Sequence, residues 1–531
     1  MTETTERTTQ RGRTLDELDE AERNLRFDEL QALMPSVWEL MRRDVDDESV
    51  VVIPSLSLDS PKEQTKQTGT LNQAMEERSL FLLLLLRQPR LRMVYVTSMP
   101  ISESIVEYYL GLLPGVIPRH ARQRLTLVSV NDGSPRPLSA KLLEHPRLLR
   151  HVRGLIPNPL HSHLVGYNVT SSERDVALSL GIPIYGCDPR LAELGGKTGC
   201  RRLFEEVGIP HPLGVEDLHS IDEVVAALAD MRSGHPAMTE AIVKLNDGVS
   251  GAGNALVDLR DLPAPGAAQE KDLLEERVNA LQLESPTLSR ATYFAAFAKG
   301  GGIVEERITG VRLLSPSVQL RVLPNRSVEL LSTHDQLLGG LSGQSYLGCI
   351  FPADPAYSRA ISASARSVAD RLAELGVLGR FAIDFVVAQD ENGEWSSYAI
   401  ELNLRKGGTT HPFLTLQFLS GGSYDAEQGA FITPGGDRKY LVATDHLESP
   451  ALRTLREEDL FDIMVRSGLH FDQARQTGVV LHMISCLTEL GRIGMTAVGD
   501  TAEQAWDLHQ EGERALLAEA AAAAVDRPLV D

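Results

Sequence analysis

From residue 50 to residue 186 the chain alternates between short apolar runs rich in β-branched residues and longer amphipathic stretches. The short runs have the length and composition of buried strands, and the longer stretches have the spacing of helices. Strands that alternate with helices are typical of a parallel sheet in an α/β fold. We predict strands at Val50–Pro54, Leu91–Thr97, Leu125–Val130 and Ile182–Tyr185, and helices at Gln73–Leu86 and Ser102–Leu113.

The pattern then changes along the chain. Residues 303–406 read largely as strands, and a further α/β segment follows from about residue 436 to residue 510. Residues 1–25 are charged and Thr-rich, which is typical of a disordered tail that leads into a helix. The run Ala521–Ala524 predicts an Ala-rich helix or a frayed end.

A predicted β-hairpin places two acidic side chains opposite each other. Two apolar, strand-like runs flank Asn392-Gly393, which is a strong signal for a two-residue turn. Counting outward from that turn, Asp384 faces Glu401, and Asn403 lies on the same face; a β-bulge would shift this register by one residue. Facing carboxylates repel each other, and a divalent cation held by oxygen donors relieves the repulsion. We predict a magnesium site here; the alternative is a surface hairpin with solvated acids.

Two lysines lie next to glycine-rich segments of the kind that bind phosphate. Lys197 follows two glycines at the start of a predicted helix. Lys244 lies in an apolar strand that precedes a Gly/Ser loop, whose backbone N–H groups can approach an anion closely. The alternatives are a solvated lysine and a flexible turn. The loop residues that we assign to phosphate binding are Gly248, Ser250, Gly251 and Gly253.

Composition and charge argue against two classes of function. The 531-residue chain has 52 basic and 73 acidic residues and a net charge of −21, which does not suit a protein that binds duplex nucleic acid. The most apolar run, Leu80–Leu86, is far shorter than the ~20 residues that a membrane span needs, so we expect a buried helix and no membrane partner. No signal peptide is evident, and the four cysteines are widely spaced, so we expect a cytoplasmic protein.

Taken in order, the motifs resemble the ATP-grasp superfamily over about residues 188–420. Any one of them is a weak signal, but the ordered set is specific. The set comprises the segments around Lys197 and Lys244, the segment Ile303–Gly310, which looks like an adenine hinge, then Asp384, and a Glu401-x-Asn403-x-Arg405 ending.

Beyond this core, the chain is similar to the pheganomycin-type peptide ligases. The residues that carry this finer resemblance are Ser332–Gln336, Gly348–Pro352, Arg405–Pro412 and Gly478–Met483. The resemblance implies an α/β chain with a Rossmann-like pre-ATP-grasp domain at 26–187, an ATP-grasp domain at 188–428 and a C-terminal α/β domain at 429–515. Tails at 1–25 and 516–531 complete this division.

The resemblance implies an ATP- and Mg²⁺-dependent ligase, with Mn²⁺ as an alternative ion. Such a ligase joins a carboxylate to the amine of an amino acid or peptide through an acyl phosphate, and the resemblance allows a homodimer. The residues that it assigns to the nucleotide, in addition to the glycine-rich loop, are Lys197, Lys244 and the backbone at Glu305, Glu306 and Ile308. Those that it assigns to catalysis are Arg405, Lys244 and Arg321, and those that it assigns to the metal are Asp384, Glu401 and Asn403.

Two questions stay open at this level. Many relatives have an acidic residue after the hinge that binds the ribose, and Val311-Arg312 stands there instead. Either Glu305 or Glu306 takes that role, or the ribose is held differently. The alternatives to a ligase are an ATP-binding regulatory or scaffold protein on an inactive core, and an ATP-grasp kinase or carboxylase.

Overall fold

The computed structural model describes residues 15–43, 48–57, 69–247, 253–285, 288–339 and 345–526. The strands are β1 (Ser49–Ile53), β2 (Arg92–Thr97), β3 (Leu125–Ser129), β4 (Ser162–Gly166), β5 (Gly214–Leu218), β6 (Glu240–Leu245), β7 (Asn254–Asp258), β8 (Gln282–Leu283), β9 (Gly302–Glu306), β10 (Arg312–Leu314), β11 (Pro316–Val322), β12 (Val328–Gly339), β13 (Ser345–Phe351), β14 (Gly379–Gln389), β15 (Trp395–Asn403), β16 (Ser423–Asp425), β17 (Ala430–Ile432), β18 (Arg438–Glu448), β19 (Gly478–His482) and β20 (Arg492–Gly499).

Helices cover these strands. The α-helices are α1 (Glu20–Gln31), α2 (Met34–Arg42), α3 (Gly69–Glu77), α4 (Glu103–Gly111), α5 (Pro118–Arg122), α6 (Leu138–Leu143), α7 (Pro146–Gly154), α8 (Ser171–Leu180), α9 (Lys197–Val207), α10 (Ile221–Gly234), α11 (Glu270–Asn279), α12 (Arg290–Gly300), α13 (Pro355–Glu374), α14 (Thr410–Ser420), α15 (Glu457–Arg466), α16 (Leu487–Leu490) and α17 (Ala502–Asp526). Short 3₁₀ helices lie at Leu15–Glu17, Arg78–Arg87, Pro159–His161, Pro189–Gly195, Pro450–Thr454 and Ile484–Cys486.

The N-terminal strands form a parallel sheet in the order β3-β2-β1-β4, which confirms the predicted α/β architecture. The prediction was wrong about the fourth strand. That strand is β4, and the segment predicted at Ile182–Tyr185 adds only an isolated bridge between Ile184 and Leu164. The predicted helix Gln73–Leu86 is instead α3 followed by the buried 3₁₀ helix Arg78–Arg87.

Two further sheets carry the predicted nucleotide and metal residues. An antiparallel sheet has the order β5-β9-β6-β7-β8. A larger sheet of eleven strands runs from β10 and the β14–β15 hairpin through β11, β12 and β13 to β18 and its neighbours. Because β18 pairs with β13, the strands of the predicted C-terminal domain continue the sheet of the predicted ATP-grasp domain.

Some of the predicted element types and ends differ from the structure. The region 303–406, which reads as largely strand, contains the 20-residue helix α13, whose one face is buried. At the termini, α1 begins at Glu20 and α17 extends to Asp526, so the described parts of the two predicted tails include helix. Leu516 and Ala520 of α17 are buried because they pack against the C-terminal strands.

The β14–β15 hairpin confirms that Asp384 pairs with Glu401, although the predicted turn was wrong in detail. The turn is longer than two residues, since the amide of Asp390 donates to the carbonyl of Glu394 at 3.0 Å. It pairs Gln389 with Trp395, one residue out of the predicted register. A bulge between Asp384 and Phe385 then restores the register that brings the two acids together.

The N-terminal region packs against the C-terminal segment through helix α4. The Tyr108 ring stacks on Phe461 with 4.6 Å between centroids, and its hydroxyl accepts a hydrogen bond from the amide of Leu481 at 2.8 Å. Arg78 donates to Asp445 of β18 at 2.5 Å, and both side chains are almost fully buried. A buried ion pair therefore joins two parts of the chain that are far apart in sequence.

Replacing Arg78 by Met should lower the free energy of unfolding by about 3–5 kcal/mol, because Asp445 is left charged and buried without its cation. Urea unfolding of the purified chain measures this loss. The matched control is Arg122→Met, since the pair of Arg122 with Glu103 is solvent-exposed and should contribute less than about 1 kcal/mol. Equal effects of the two substitutions would contradict the role given to the buried pair.

Candidate active site

A cleft of about 830 Å³ lies between the five-stranded sheet and the large sheet. One wall carries Lys244 and the end of β9, and the opposite wall carries the acids of the β14–β15 hairpin. Arg78 and Tyr167 of the N-terminal region and Asp445 of β18 lie along the same cleft. Its lining includes Lys197, Lys244, Glu305, Glu306, Ile308, Asp384, Glu401, Asn403 and Arg405 from the residues predicted to bind nucleotide or metal or to act in catalysis.

Two side-chain amide groups hold Asp384. The side-chain amide of Asn403 donates to Asp384 Oδ2 at 3.0 Å, and that of Gln336 donates to Asp384 Oδ1 at 3.2 Å. Glu401 stands opposite Asp384 across the strand pair. Oxygen donors of carboxylate and amide type therefore meet at one point, as a Mg²⁺ ligand set requires.

Burial and charge act differently on the two carboxyl groups. Burial, reinforced by the charge of Glu401, raises the pKa of Asp384 to about 6. Burial also opposes ionisation of Glu401, but Lys197 lies 2.7 Å away and Arg405 is nearby, so the pKa of Glu401 falls below its ordinary value. The ammonium group of Lys197 thus supplies one positive charge to this pair of acids and neutralises them only in part.

Lys197 is positioned by the start of its helix. It is the first residue of α9, and its amide donates to the carbonyl of Asn246 at 3.1 Å. The side chain of Asn246 accepts from the amide of Thr198 at 2.9 Å. Asn246 follows β6, so the helix that carries Lys197 is tied to the strand that carries Lys244.

Lys244 forms an ion pair with Glu305 across the β6–β9 pair. The other oxygen of Glu305 lies 3.4 Å from Arg201 of α9, and all three side chains are buried. The Glu305 carboxylate is therefore already engaged by two cations. The Glu306 carboxylate accepts a hydrogen bond from the amide of Leu213 at 2.9 Å. Both acids proposed for the ribose thus have partners within the protein.

Part of the predicted site falls outside the described residues, and part falls outside the cleft. Gly248, Ser250 and Gly251 of the glycine-rich loop lie outside the described residues; Gly253 is described, and its carbonyl accepts from the amide of Leu245 at 3.0 Å. Arg321 is not brought together with the other catalytic candidates. It faces a second cavity on the other side of Arg405 and forms a 2.6 Å ion pair with Glu329.

The sequence reasoning missed three groups that shape the cleft. Gln336 is the last residue of the segment Ser332–Gln336, for which the sequence predicted no role in the site. Its side-chain amide donates to Asp384. Arg201 and Asn246 support the two lysines, and neither carries a local signal of that role. Around Asp445, the Nε2 atoms of His411 and His482 lie 3.0 Å apart and 3.5 and 2.8 Å from the carboxylate. Only the folded chain brings this network together, at the end of the cleft formed by Arg78.

Comparison with known proteins decides the family. A family model described as "IQCH-like, ATP-grasp" matches residues 189–290 and 288–427, and one described as "PGM1 C-terminal domain" matches residues 459–511. L-propargylglycine–L-glutamate ligase of Streptantibioticus cattleyicolor is 30% identical over 451 residues, which cover 83% of this chain and 89% of that protein. The chain belongs to the ATP-grasp ligase family.

Two more distant similarities were found. IQ motif-containing protein H of Danio rerio is 25% identical over 399 residues, which cover 67% of this chain and 37% of that protein. A crystal structure of the ADP complex of an N5-carboxyaminoimidazole ribonucleotide synthetase matches with a TM-score of 0.49 and 11% identity, and it covers 88% of this chain and 97% of that chain.

Membership of the family confirms the predicted ATP-grasp fold and the predicted ATP-dependent ligase class. ATP-grasp ligases use ATP and Mg²⁺, and they act on a carboxylate and an amine. Among the described residues, no helix is both long and apolar enough to cross a membrane. In this ATP-grasp ligase, most of the residues predicted to bind nucleotide and metal or to act in catalysis line the cleft, and substitutions there can test their roles.

The raised pKa of Asp384 predicts a pH-dependent cost of keeping this acid ionised. A carboxyl whose folded pKa lies above its unfolded pKa destabilises the fold as pH rises from about 4 to about 6, and the full cost is present above that range. With EDTA present, Asp384→Asn should therefore increase the free energy of unfolding by about 3 kcal/mol at pH 8 and by little at pH 4.

Urea unfolding at the two pH values measures this difference. Asp230→Asn, on an exposed position of α10, is the matched control and should change stability at neither pH. A loss of stability in Asp384→Asn at pH 8 would contradict the electrostatic account of the site.

Proposed function

We propose that the chain activates a substrate carboxylate with ATP and transfers the acyl group to the amine of an amino acid or peptide. A carboxylate oxygen attacks the γ-phosphorus, the bond to ADP breaks, and an acyl phosphate forms. The amine nitrogen then attacks the acyl carbon, phosphate leaves with the electron pair of the C–O bond, and the amine loses a proton. The observation that carries this proposal is the pairing of Asp384 with Glu401 beside Lys197 in the cleft.

The nucleotide would lie along the wall formed by the five-stranded sheet. The backbone at Glu305, Glu306 and Ile308 would bind the adenine, and the ammonium groups of Lys197 and Lys244 would bind phosphate oxygens. Both lysines are buried and are now paired with acids, so phosphate would exchange one set of anionic partners for another. Gly248, Ser250, Gly251 and Gly253 would supply backbone N–H groups to the phosphates.

The metal ligands would be Asp384, Glu401 and Asn403. The donor set fits Mg²⁺, since two carboxylates and one amide oxygen can be presented from neighbouring strands, and Mn²⁺ accepts the same donors. Held by these residues, Mg²⁺ would supply positive charge that offsets the negative charge of the phosphate groups. The pairing of Asp384 with Glu401 in a half-buried position supports this role because it leaves negative charge to be neutralised.

Arg405 would stabilise the negative charge on the transferring phosphoryl group. It follows the predicted metal ligands by two residues, lines the cleft, and lowers the pKa of Glu401 through its charge. A planar guanidinium group suits a phosphoryl group geometrically. We assign no part in phosphoryl transfer to Arg321, because it lies in the second cavity and is paired with Glu329.

The substrates that we propose are amino acids or short peptides. The relative in Streptantibioticus cattleyicolor is named for the joining of two amino acids, and the alignment covers most of both proteins. The scaffold alternative is disfavoured because both lysines, both acids, Asn403 and Arg405 are present and line one cleft. A homodimer would be compatible with this activity, and none of its steps requires one.

The activity is tested by ADP release from ATP and Mg²⁺ with pairs of amino acids and peptides. We expect ADP release that requires both a carboxylate and an amine, together with a new amide that mass spectrometry detects. ADP release that continues when every amine is omitted would contradict the ligase assignment.

Glu401→Gln should reduce turnover by at least about 100-fold, because it removes one anionic metal ligand while it preserves side-chain volume. Binding of ATP without metal should be reduced far less. Glu394→Gln, at the exposed turn of the same hairpin, is the matched control and should keep full turnover. Retention of wild-type turnover by Glu401→Gln would exclude this residue as a metal ligand.

A further inference from the structure

A second cavity of about 370 Å³ lies behind Arg405. Its walls come from α2, from the end of β4, from β11 and β14 of the large sheet, and from the segment that follows the β14–β15 hairpin. Arg405 and Tyr167 line both this cavity and the cleft, so the two spaces share a wall. A ligand in the second cavity would therefore end next to the proposed site of phosphoryl transfer.

Two arginines face each other in this cavity. Arg321 of β11 and Arg380 of β14 are directly opposite in the antiparallel register, an arrangement in which like charges repel. Glu329 forms an ion pair with Arg321 at 2.6 Å, and Arg321 also lies over the ring of Trp38 at 5.6 Å. Within the described part of the chain, no hydrogen bond or ion pair reaches the guanidinium group of Arg380.

Lys406 adds a further positive charge. Its ammonium group donates to the backbone carbonyl of Gly166, which carries no formal charge. Burial, together with the charge of Arg380, lowers the pKa of Lys406 to about 7, and burial with the charge of Arg321 lowers the pKa of Arg380 to about 10. The two cations therefore destabilise each other as long as no anion lies between them.

The rest of the cavity does not supply that anion. Among the described residues, its lining contains no aspartate or glutamate, although the chain as a whole carries a net charge of −21. His163 is buried in the same wall, and burial lowers its pKa to about 4, so it is neutral near pH 7. Partly buried cations without an anionic partner are costly, and a bound carboxylate would reduce that cost.

We propose that this cavity binds an acidic amine acceptor. Arg380 and Lys406 would hold the side-chain carboxylate of this acceptor, which does not react. The proposal rests on the function proposed above and specifies the substrate class: an amino acid with an acidic side chain, or a peptide that begins with one. The acceptor amine would point past Arg405 into the cleft, towards the acyl phosphate. A volume of about 370 Å³ suits a ligand of this size.

Paired probes that differ by one negative charge test the proposal. L-Aspartate is compared with L-asparagine, and L-glutamate with L-glutamine, by calorimetric titration of the full chain in the presence of ADP and Mg²⁺. We expect at least one acid to bind at least tenfold more tightly than its amide. Arg380→Gln should remove that preference by weakening binding of the acid, and it should leave binding of the amide unchanged.

Two further variants separate charge from folding. Arg380→Lys keeps the positive charge and should keep part of the preference for the acid. Arg366→Gln removes an exposed arginine of α13 and should leave all four affinities unchanged. The thermal midpoint of Arg380→Gln should not fall, because the substitution removes a repulsive pair; the unfolding scan thus shows directly whether lost binding comes from misfolding.

The binding and turnover results distinguish the two proposals. If acids and amides bind equally to the wild-type chain, or if Arg380→Gln keeps the preference, the acceptor assignment is overturned while ligase turnover can still stand. If the preference is present and Arg380 is required for it, but no carboxylate–amine pair releases ADP, the ligase proposal fails while the anion site stands. If Arg380→Gln loses the preference for the acid, and its KM for the acid rises with little change in kcat, both the acceptor proposal and the ligase proposal are supported.

Discussion

The pairing of Asp384 with Glu401 across β14 and β15 brings two acids together in a half-buried position. Water can screen them only partly there, so the repulsion has to be met by positive charge. Lys197 meets it on one side at 2.7 Å from Glu401, and Arg405 contributes from the other. In the function proposed above, metal and phosphate would take over part of this neutralisation.

Because of that constraint, the contacts that hold the two lysines in place matter to the whole cleft. Lys197 begins α9, and Asn246 ties this helix to β6, which carries Lys244. Lys244 is in turn paired with Glu305. A displacement of either lysine therefore affects both walls of the cleft. This coupling suits an ATP-grasp ligase, in which one nucleotide has to contact both sheets while it remains in line with the acyl group.

The local sequence was sufficient to predict that Asp384 faces Glu401, because strand alternation and a turn signal together define which side chains face each other. It was not sufficient for the turn itself. The longer turn and the bulge next to Asp384 cancel each other, and neither has a distinct residue pattern. The helix α13 does carry a local signal, since its buried residues Tyr357, Ile361, Ala365, Val368 and Leu372 recur at helical spacing, and the prediction of residues 303–406 as largely strand passed over that signal.

The parts that depend on distant segments could not be predicted. The Arg78–Asp445 pair joins the N-terminal region to β18, and the meeting of β13 with β18 merges two predicted domains into one sheet. The cationic cavity is of the same kind, since Arg321 and Arg380 meet only through the pairing of β11 with β14. A net charge of −21 gives no indication that a cavity without described acidic residues is present.

The central claim is that a substrate carboxylate is activated by transfer of the γ-phosphoryl group. It is tested most directly with a carboxylate substrate labelled with ¹⁸O in both oxygens, by following the released phosphate with ³¹P NMR. The account predicts that each turnover moves one ¹⁸O atom from the carboxylate into inorganic phosphate, with ADP as the other product. Unlabelled phosphate, or AMP and pyrophosphate in place of ADP and phosphate, would contradict it.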